Sequence, residues 1–145
     1  MQKITPFLWF NKEAEEAAKF YVSIFKNSKI NSSNPMMVTF TLDGKDFIAL
    51  NGGPEFKFTE AISFFVNCEN QEEVDYYWEK LSAHPENEQC GWLKDKYGLS
   101  WQIVPKQLGE FMGDKDQEAA NRVMQAMLKM KKIVVADLEK AYKDE

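Results

Sequence analysis

One order of predicted elements, a strand, then a helix, then a hairpin, occurs twice in this chain of 145 residues and limits its possible folds more than any other feature. Short apolar runs indicate the strands, and apolar side chains at helical spacing indicate the helices. The segments are ITPFLWF (4–10), NKEAEEAAKFYVSIF (11–25) and MMVTFTLDGKDFIALNGG (36–53), followed by AISFFVNC (61–68), NQEEVDYYWEKLSA (70–83) and CGWLKDKYGLSWQIV (90–104). Two tandem units are therefore predicted, over residues 3–53 and 60–105.

Local signals at the element ends support this division. Asn11 stands before the first helix, where its side chain can accept hydrogen bonds from free backbone N–H groups, and it is expected to cap that helix. Asp43-Gly44 lies between two alternating runs. This dipeptide predicts a type I′ hairpin turn, because both central residues of such a turn need positive φ.

Residues 107–145 belong to neither unit and form a predicted helical appendix. Its apolar side chains recur at helical spacing: Val123, Met127, Met130 and Val134. A second short helix is predicted through Leu138 to Tyr142. Methionines line this appendix from Met124 onward, and such a stripe favours packing in a core or interface over an adaptable binding groove.

Composition excludes several classes of partner. The net charge is -5 and Arg122 is the only arginine, so the chain lacks the clustered cations that bind nucleic acid. No apolar run is long enough to span a bilayer, and no membrane partner is expected. Cys68 and Cys90 are too few for a disulfide scaffold, which favours a reducing cytoplasmic location.

Seven segments together resemble one known family: ITPFLWF, EAAKFYVSIF, LNGGPEFKF, AISFFVNC, EEVDYYWEKLS, CGWLKDKYGLSWQIVP and RVMQAMLKMKKI. They are similar to the PhnB-like family, often labelled 3-demethylubiquinone-9 3-methyltransferase, in the vicinal oxygen chelate superfamily of glyoxalase I and bleomycin-resistance proteins. The resemblance implies an α+β fold in which two tandem βαβββ units form a curved mixed sheet cup, with C-terminal helices added. It also implies one glyoxalase-like domain over 1–145 and a homodimer, which the leftover apolar helix surface after residue 115 also favours.

Metal-using members of this superfamily hold an ion with His and Glu side chains at four strand positions. The matching positions here carry no such ligand: they are Thr5, Ala49, Ala61 and Gln102. Neighbouring residues are no better as ligands: Ile4, Pro6, Ile48, Leu50, Ile62, Trp101 and Ile103. Since divalent ions of this kind need imidazole or carboxylate donors, neither a metal nor another cofactor is expected.

Gln102 thus stands where the metal enzymes have a glutamate. An amide keeps a carbonyl acceptor, gains a donor and loses the charge, which suits a neutral ligand better than a cation. A second interpretation stays open, in which Gln102 satisfies buried backbone groups near a bend of the sheet.

Strand side chains alternate between two faces, so the residues that share a face with Gln102 can be predicted. They would form an aromatic cup with a few neutral polar groups, as small-molecule sites have. The expected ligand-binding residues are Thr5, Phe7, Trp9, Asn51, Ser63, Phe65, Trp92 and Gln102. Ala49 is expected on the same face as Asn51. The alternative is that these aromatic side chains only fill the interior of the sheet.

Three functions are compatible with these features. The first is metal-free binding of a small, largely apolar or aromatic molecule by a cytoplasmic homodimer. The second is a metal-independent reaction on a small substrate, for which the family label suggests methyl transfer. The usual glycine-rich turn of a methyltransferase is missing, because Gly52-Gly53 leads from a hairpin strand into Pro54. A purely structural or protein-interaction role is the third.

Overall fold

The structure, a computed structural model, describes residues 2–145. The chain forms two compact units, of which the first ends at Phe58 and the second comprises Thr59–Glu145. Each unit contains a mixed sheet and at least one helix. The predicted α+β class is confirmed.

The first unit has a four-stranded sheet with the strand order β1-β4-β3-β2 and one helix. Its elements are β1 (Phe7–Phe10), α1 (Ala14–Ile24), β2 (Lys29–Ser33), β3 (Met37–Leu42) and β4 (Lys45–Asn51). Strands β1 and β4 are parallel, and the other neighbours are antiparallel. Asp43 and Gly44 have φ values of 49° and 76°, so the predicted turn with two positive φ angles joins β3 to β4.

Helix α1 covers one face of this sheet. The rings of Tyr21 and Phe40 stack with centroids 6.5 Å apart, and both side chains are fully buried. The Asn/Ser-rich sequence between α1 and the first hairpin predicts a loop, whereas the structure has strand β2 there. It pairs at the sheet edge with β3, and its register shifts between Ile30 and Ser32, so a bulge accommodates the polar segment.

The second unit begins with a three-stranded sheet in the order β5-β7-β6. Its first elements are β5 (Ser63–Cys68), α2 (Gln71–Leu81), β6 (Trp92–Lys94) and β7 (Ser100–Pro105). Between α2 and β6, where a βαβββ unit has one more strand, the chain forms a short 3-10 helix at Pro85–Asn87 and an isolated bridge from Gln89 to Trp92. Pro85 lacks the N–H group that a strand ladder needs, and it begins the 3-10 helix instead.

Three helices follow β7 and complete the second unit: α3 (Lys106–Met112), α4 (Gln117–Leu128) and α5 (Val135–Lys143). Val123, Ile133 and Leu138 form the fully buried centre of this group. Partly buried apolar side chains surround that centre, and they include Met127 and Met130. Packing, as predicted for the methionine stripe, is therefore one role of both residues.

Backbone hydrogen bonds fix the link between α4 and α5 to the start of β6. Cys90 N donates to Met130 O and Gly91 N donates to Lys131 O, both at 2.8 Å. A Cβ atom on Gly91 would lie 2.8 Å from Ile133 Cδ1. Only glycine allows residue 91 to lie this close to Ile133. The two hydrogen bonds and this close packing hold the C-terminal helices against the second sheet.

Candidate functional site

A cavity of about 960 Å³ lies within the second unit, between one face of its sheet and the helices α3 and α4. The sheet contributes residues from β5, β6 and β7, and the segment before β6 forms one edge. The lining residues are Glu60, Phe65, Asn67, Asn87, Gln89, Cys90, Trp92, Leu93, Gln102, Val104, Pro105, Lys106, Leu108, Gly109, Met112, Met127 and Leu128. Most of this surface is apolar, and the volume is at the upper end of the range for small-molecule sites.

Phe65, Gln102 and Trp92 form one row across the sheet face that lines the cavity. Gln102 is in register with Phe65 on the parallel strand β5 and with Trp92 on the antiparallel strand β6. The opposite face carries Trp101, whose ring meets the ring of Phe64 with centroids 5.5 Å apart. Parity along β7 therefore separates the cavity side chains from those packed on the other face.

The Gln102 amide has one occupied and one free end. Its Nε2 donates a hydrogen bond to Ser63 Oγ at 2.9 Å. Its Oε1 has no hydrogen-bond partner among residues 2–145. Gln102 thus offers a carbonyl acceptor to the cavity.

Other neutral polar groups surround the cavity. Asn67 lies on the same sheet face as Gln102, since its register partner is Val104, and Asn87 lies in the short 3-10 helix. Gln89 Nε2 is engaged, because it donates to Leu128 O at 3.0 Å. The cavity can therefore form hydrogen bonds with a ligand at several points without supplying a charge.

The two charged side chains of the lining form ion pairs. Glu60 accepts a hydrogen bond from Lys94 Nζ, which holds the pKa of Glu60 below its ordinary value. Lys106 Nζ lies 3.1 Å from Glu69 Oε2. Both pairs are solvent-exposed in part, so they are weak, but they leave the lining without net charge.

The second unit brings four of the predicted site residues together. Phe65, Trp92 and Gln102 line the cavity, and Ser63 holds the Gln102 amide. The side chain of Phe65 is half exposed, so the cavity is open to solvent on that side. Whether these residues bind a ligand stays a prediction.

The first unit contains the other four, of which Phe7 and Trp9 alternate with the buried Leu8 and Phe10. Phe7 is 54% exposed. Trp9 Nε1 donates to Gly53 O at 2.9 Å, and its indole lies against Gly52, where a Cβ would come within 2.4 Å of the ring.

Thr5 and Asn51 complete the set in the first unit. Thr5 precedes β1, and its Oγ1 lies 3.5 Å from Gln2 Nε2.

The predicted face of Asn51 is wrong. In β4, Asn51 is in register with Phe10, and Ala49 is in register with Leu8. Since Leu8 and Phe10 are buried, Asn51 and Ala49 lie on the buried face of the sheet. Asn51 Oδ1 accepts a hydrogen bond from Ala14 N at 2.9 Å, and its Nδ2 donates to Pro35 O. Asn51 therefore performs the helix-capping task expected of Asn11, and the parity of β4 differs by one residue from the prediction.

The helical wall of the cavity did not follow from the sequence. Leu108, Met112, Met127 and Leu128 line the cavity from α3 and α4. The methionine stripe was the available signal, and at Met127 packing and cavity lining coincide. Cys90 also lines the cavity, with Sγ 3.4 Å from Leu128 O, and no sequence pattern indicated it.

The four strand positions at which the metal-using relatives would hold an ion carry no imidazole or carboxylate in this chain. With the corrected parity of β4, Ile48 and Leu50 replace Ala49 as the candidate position, and neither is a ligand. No group of three or more His, Cys, Asp or Glu side chains among residues 2–145 is arranged to hold a metal ion. In the same part of the chain, no helix is long and apolar enough to cross a membrane.

Comparisons with known proteins cover the two strand–helix–strand regions. A family model described as 3-demethylubiquinone-9 3-methyltransferase matches residues 2–104. The PhnB protein from Bacillus cereus is 38% identical, with a TM-score of 0.61 over 72% of this chain and 99% of its own. No curated protein matches the chain.

A more distant structure shares the fold alone. It is a fosfomycin resistance protein from Listeria monocytogenes, solved with Mn(II) and sulfate, with 17% identity and a TM-score of 0.52 over 72% of this chain and 91% of its own. The family match covers both sheets and stops before α3. This chain belongs to the 3-demethylubiquinone-9 3-methyltransferase-like family.

Proposed function

We propose that the protein binds a small, largely apolar or aromatic molecule in the cavity of its second unit and that this binding needs no metal. The observation that carries the proposal is the free Oε1 of Gln102 inside a largely apolar cavity of about 960 Å³. A ligand that donates a hydrogen bond to this oxygen would find an acceptor held among apolar side chains. Phe65 and Trp92 flank the amide and offer aromatic surface to the ligand.

The charge distribution supports a neutral ligand and an absent metal. Glu60 is the one carboxylate of the lining, and it is neutralised by Lys94. A hard cation would need several such oxygens, whereas Gln102, Asn67 and Asn87 supply neutral amides.

Fluorescence titration with N-phenyl-1-naphthylamine, a neutral aromatic probe that brightens in apolar surroundings, tests this proposal. We expect saturable binding to the wild-type protein, and no stoichiometric Zn, Ni, Mn or Fe in the same sample by elemental analysis. Phe65→Glu should weaken binding by about tenfold or more, because it places a carboxylate beside an apolar ligand.

Ile62→Glu is the matched control for that variant. Ile62 is 68% exposed, precedes β5 and does not line the cavity, so the same substitution should leave the dissociation constant within about twofold. An absence of saturable binding to the wild-type protein, or equal losses in the two variants, would contradict the proposed site. A stoichiometric metal would contradict its metal-free character.

We also propose that the protein is a cytoplasmic homodimer. Large apolar side chains of the first unit are more than half exposed, and such surface often marks an interface: Ile4, Phe7, Met36 and Phe56. A closed dimer that buries this surface would be the simplest arrangement. Two unpaired cysteines suit the reducing cytoplasm.

A further inference from the structure

Resting on the proposed function, we infer that the ligand is a neutral amphiphile, with an uncharged hydrogen-bond donor at Gln102 and an extended apolar part along α3 and α4. The sheet wall combines polar and apolar side chains, whereas the helical wall is apolar apart from Lys106 at the start of α3. The sheet carries the amide of Gln102, whereas the helices contribute Leu108, Met112, Met127 and Leu128. A molecule that satisfies both walls must itself be polar at one end and apolar at the other.

The hydrogen-bond pattern defines the polar end of the ligand. Because Nε2 of Gln102 is engaged with Ser63, the amide presents its oxygen to the cavity. An oxygen acceptor requires an O–H or N–H donor on the ligand. A hydroxyl or amide satisfies this requirement, whereas a carboxylate offers only acceptors at neutral pH.

The charges at the cavity edge disfavour an ionised head group. Lys94 is engaged with Glu60 and Lys106 with Glu69, so an anionic ligand would compete with a carboxylate already in place. A cationic ligand would compete with a lysine in the same way. A neutral head group avoids both losses.

The helical wall determines which apolar groups the cavity accepts. Residues 2–104 match the family, so α3 and α4 lie beyond the matched part. Met112 and Met127 are unbranched and flexible, which lets the wall adapt to an alkyl chain. Leu128 is 47% exposed at the end of α4 and limits the space available to that chain.

Displacement of bound N-phenyl-1-naphthylamine by straight-chain 1-alkanols of six to twelve carbons tests this inference. The dissociation constant should fall about fourfold for each added methylene until the cavity is full, and then level off. Carboxylates and primary amines of equal chain length should bind about tenfold more weakly at neutral pH, since their charged heads lose hydration without gaining a free counter-ion. Gln102→Leu should weaken the alcohols and leave the dependence on chain length unchanged.

Leu128→Trp places a larger side chain in the cavity beside the helical wall. The chain length at which the dissociation constant stops falling should therefore decrease by about two carbons. Met124→Trp is its matched control, because Met124 is also exposed on α4 and does not line the cavity. Three outcomes would overturn this inference and leave the proposed function standing. They are probe displacement that does not depend on alcohol length, equal shifts in the two variants, and tighter binding of carboxylates than of alcohols. Failure of the probe to bind the wild-type protein would overturn both.

Discussion

The two cysteines of this protein differ in their surroundings. Cys68 is buried, and burial together with the nearby Glu73 carboxylate raises the pKa of its thiol to about 12. Cys90 is half-buried and lines the cavity. Since the thiolate is the nucleophile, only roughly one Cys68 side chain in ten thousand is reactive at pH 8.

Alkylation with iodoacetamide at pH 8, followed by mass spectrometry of peptides, is therefore expected to modify Cys90 and leave Cys68 intact. Saturating N-phenyl-1-naphthylamine should slow the modification of Cys90, because the probe occupies the cavity that this thiol lines. Cys68→Ala should leave the labelling rate unchanged and Cys90→Ser should abolish labelling. Equal rates at the two thiols would contradict the burial of Cys68, and unprotected Cys90 would contradict binding in this cavity.

Single residues also show how far sequence reasoning reaches. Gln102 lies on the predicted face, because the run from Ser100 to Val104 alternates between cavity and opposite face as expected. Asn51 ends a strand that follows a tight turn, and its face depends on register with β1, which no local pattern specifies. Two amides with the same predicted role thus differ, one presenting an oxygen to a cavity and the other capping α1.

At the scale of elements, the sequence was informative where a local signal was strong. Alternation and the Asp43-Gly44 turn located β3 and β4. Strand β2 was missed, since its polar sequence gains stability from pairing with β3, which is a tertiary effect. The close contact between Gly91 and Ile133 could not be predicted either, because the two residues are distant in sequence.

That contact leads to a test of how the C-terminal helices are held. Gly91 has a φ of 86°, and a Cβ there would meet Ile133 at 2.8 Å. Gly98 has nearly the same φ, 87°, with no atom within 4 Å of the added Cβ. Both Gly→Ala variants should lose about 1 kcal/mol of unfolding free energy from backbone strain, and Gly91→Ala should lose at least about 1 kcal/mol more from the clash.

Urea denaturation measures this difference, and the open position at Gly98 serves as the control for the strain alone. Equal losses in the two variants would mean that Ile133 yields easily and that the helices are not held by this contact. Probe binding by the Gly91→Ala variant should weaken as well, because the helical wall of the cavity depends on the same attachment.

At the scale of the whole molecule, the part shared with the family and the part beyond it have different tasks. The matched residues supply both sheets, including the amide of Gln102, and the helices after Pro105 enclose one sheet face as a cavity. The family and the fold were predictable from local segments of the sequence. The cavity was not, since its helical wall comes from residues that resemble ordinary packing side chains.

The proposed homodimer is also a property of the whole molecule, and light scattering on the purified protein measures its mass. A homodimer should have a mass of twice 16.9 kDa at micromolar concentration. Phe7→Glu should shift the mass towards the monomer, because it places a charge on exposed apolar surface of the first unit. Tyr76→Glu, at a residue that is 40% exposed on α2, is the control and should leave the dimer intact. A monomeric wild-type mass would rule out the homodimer, whereas a dimer unaffected by Phe7→Glu would exclude the surface around Phe7 from the interface.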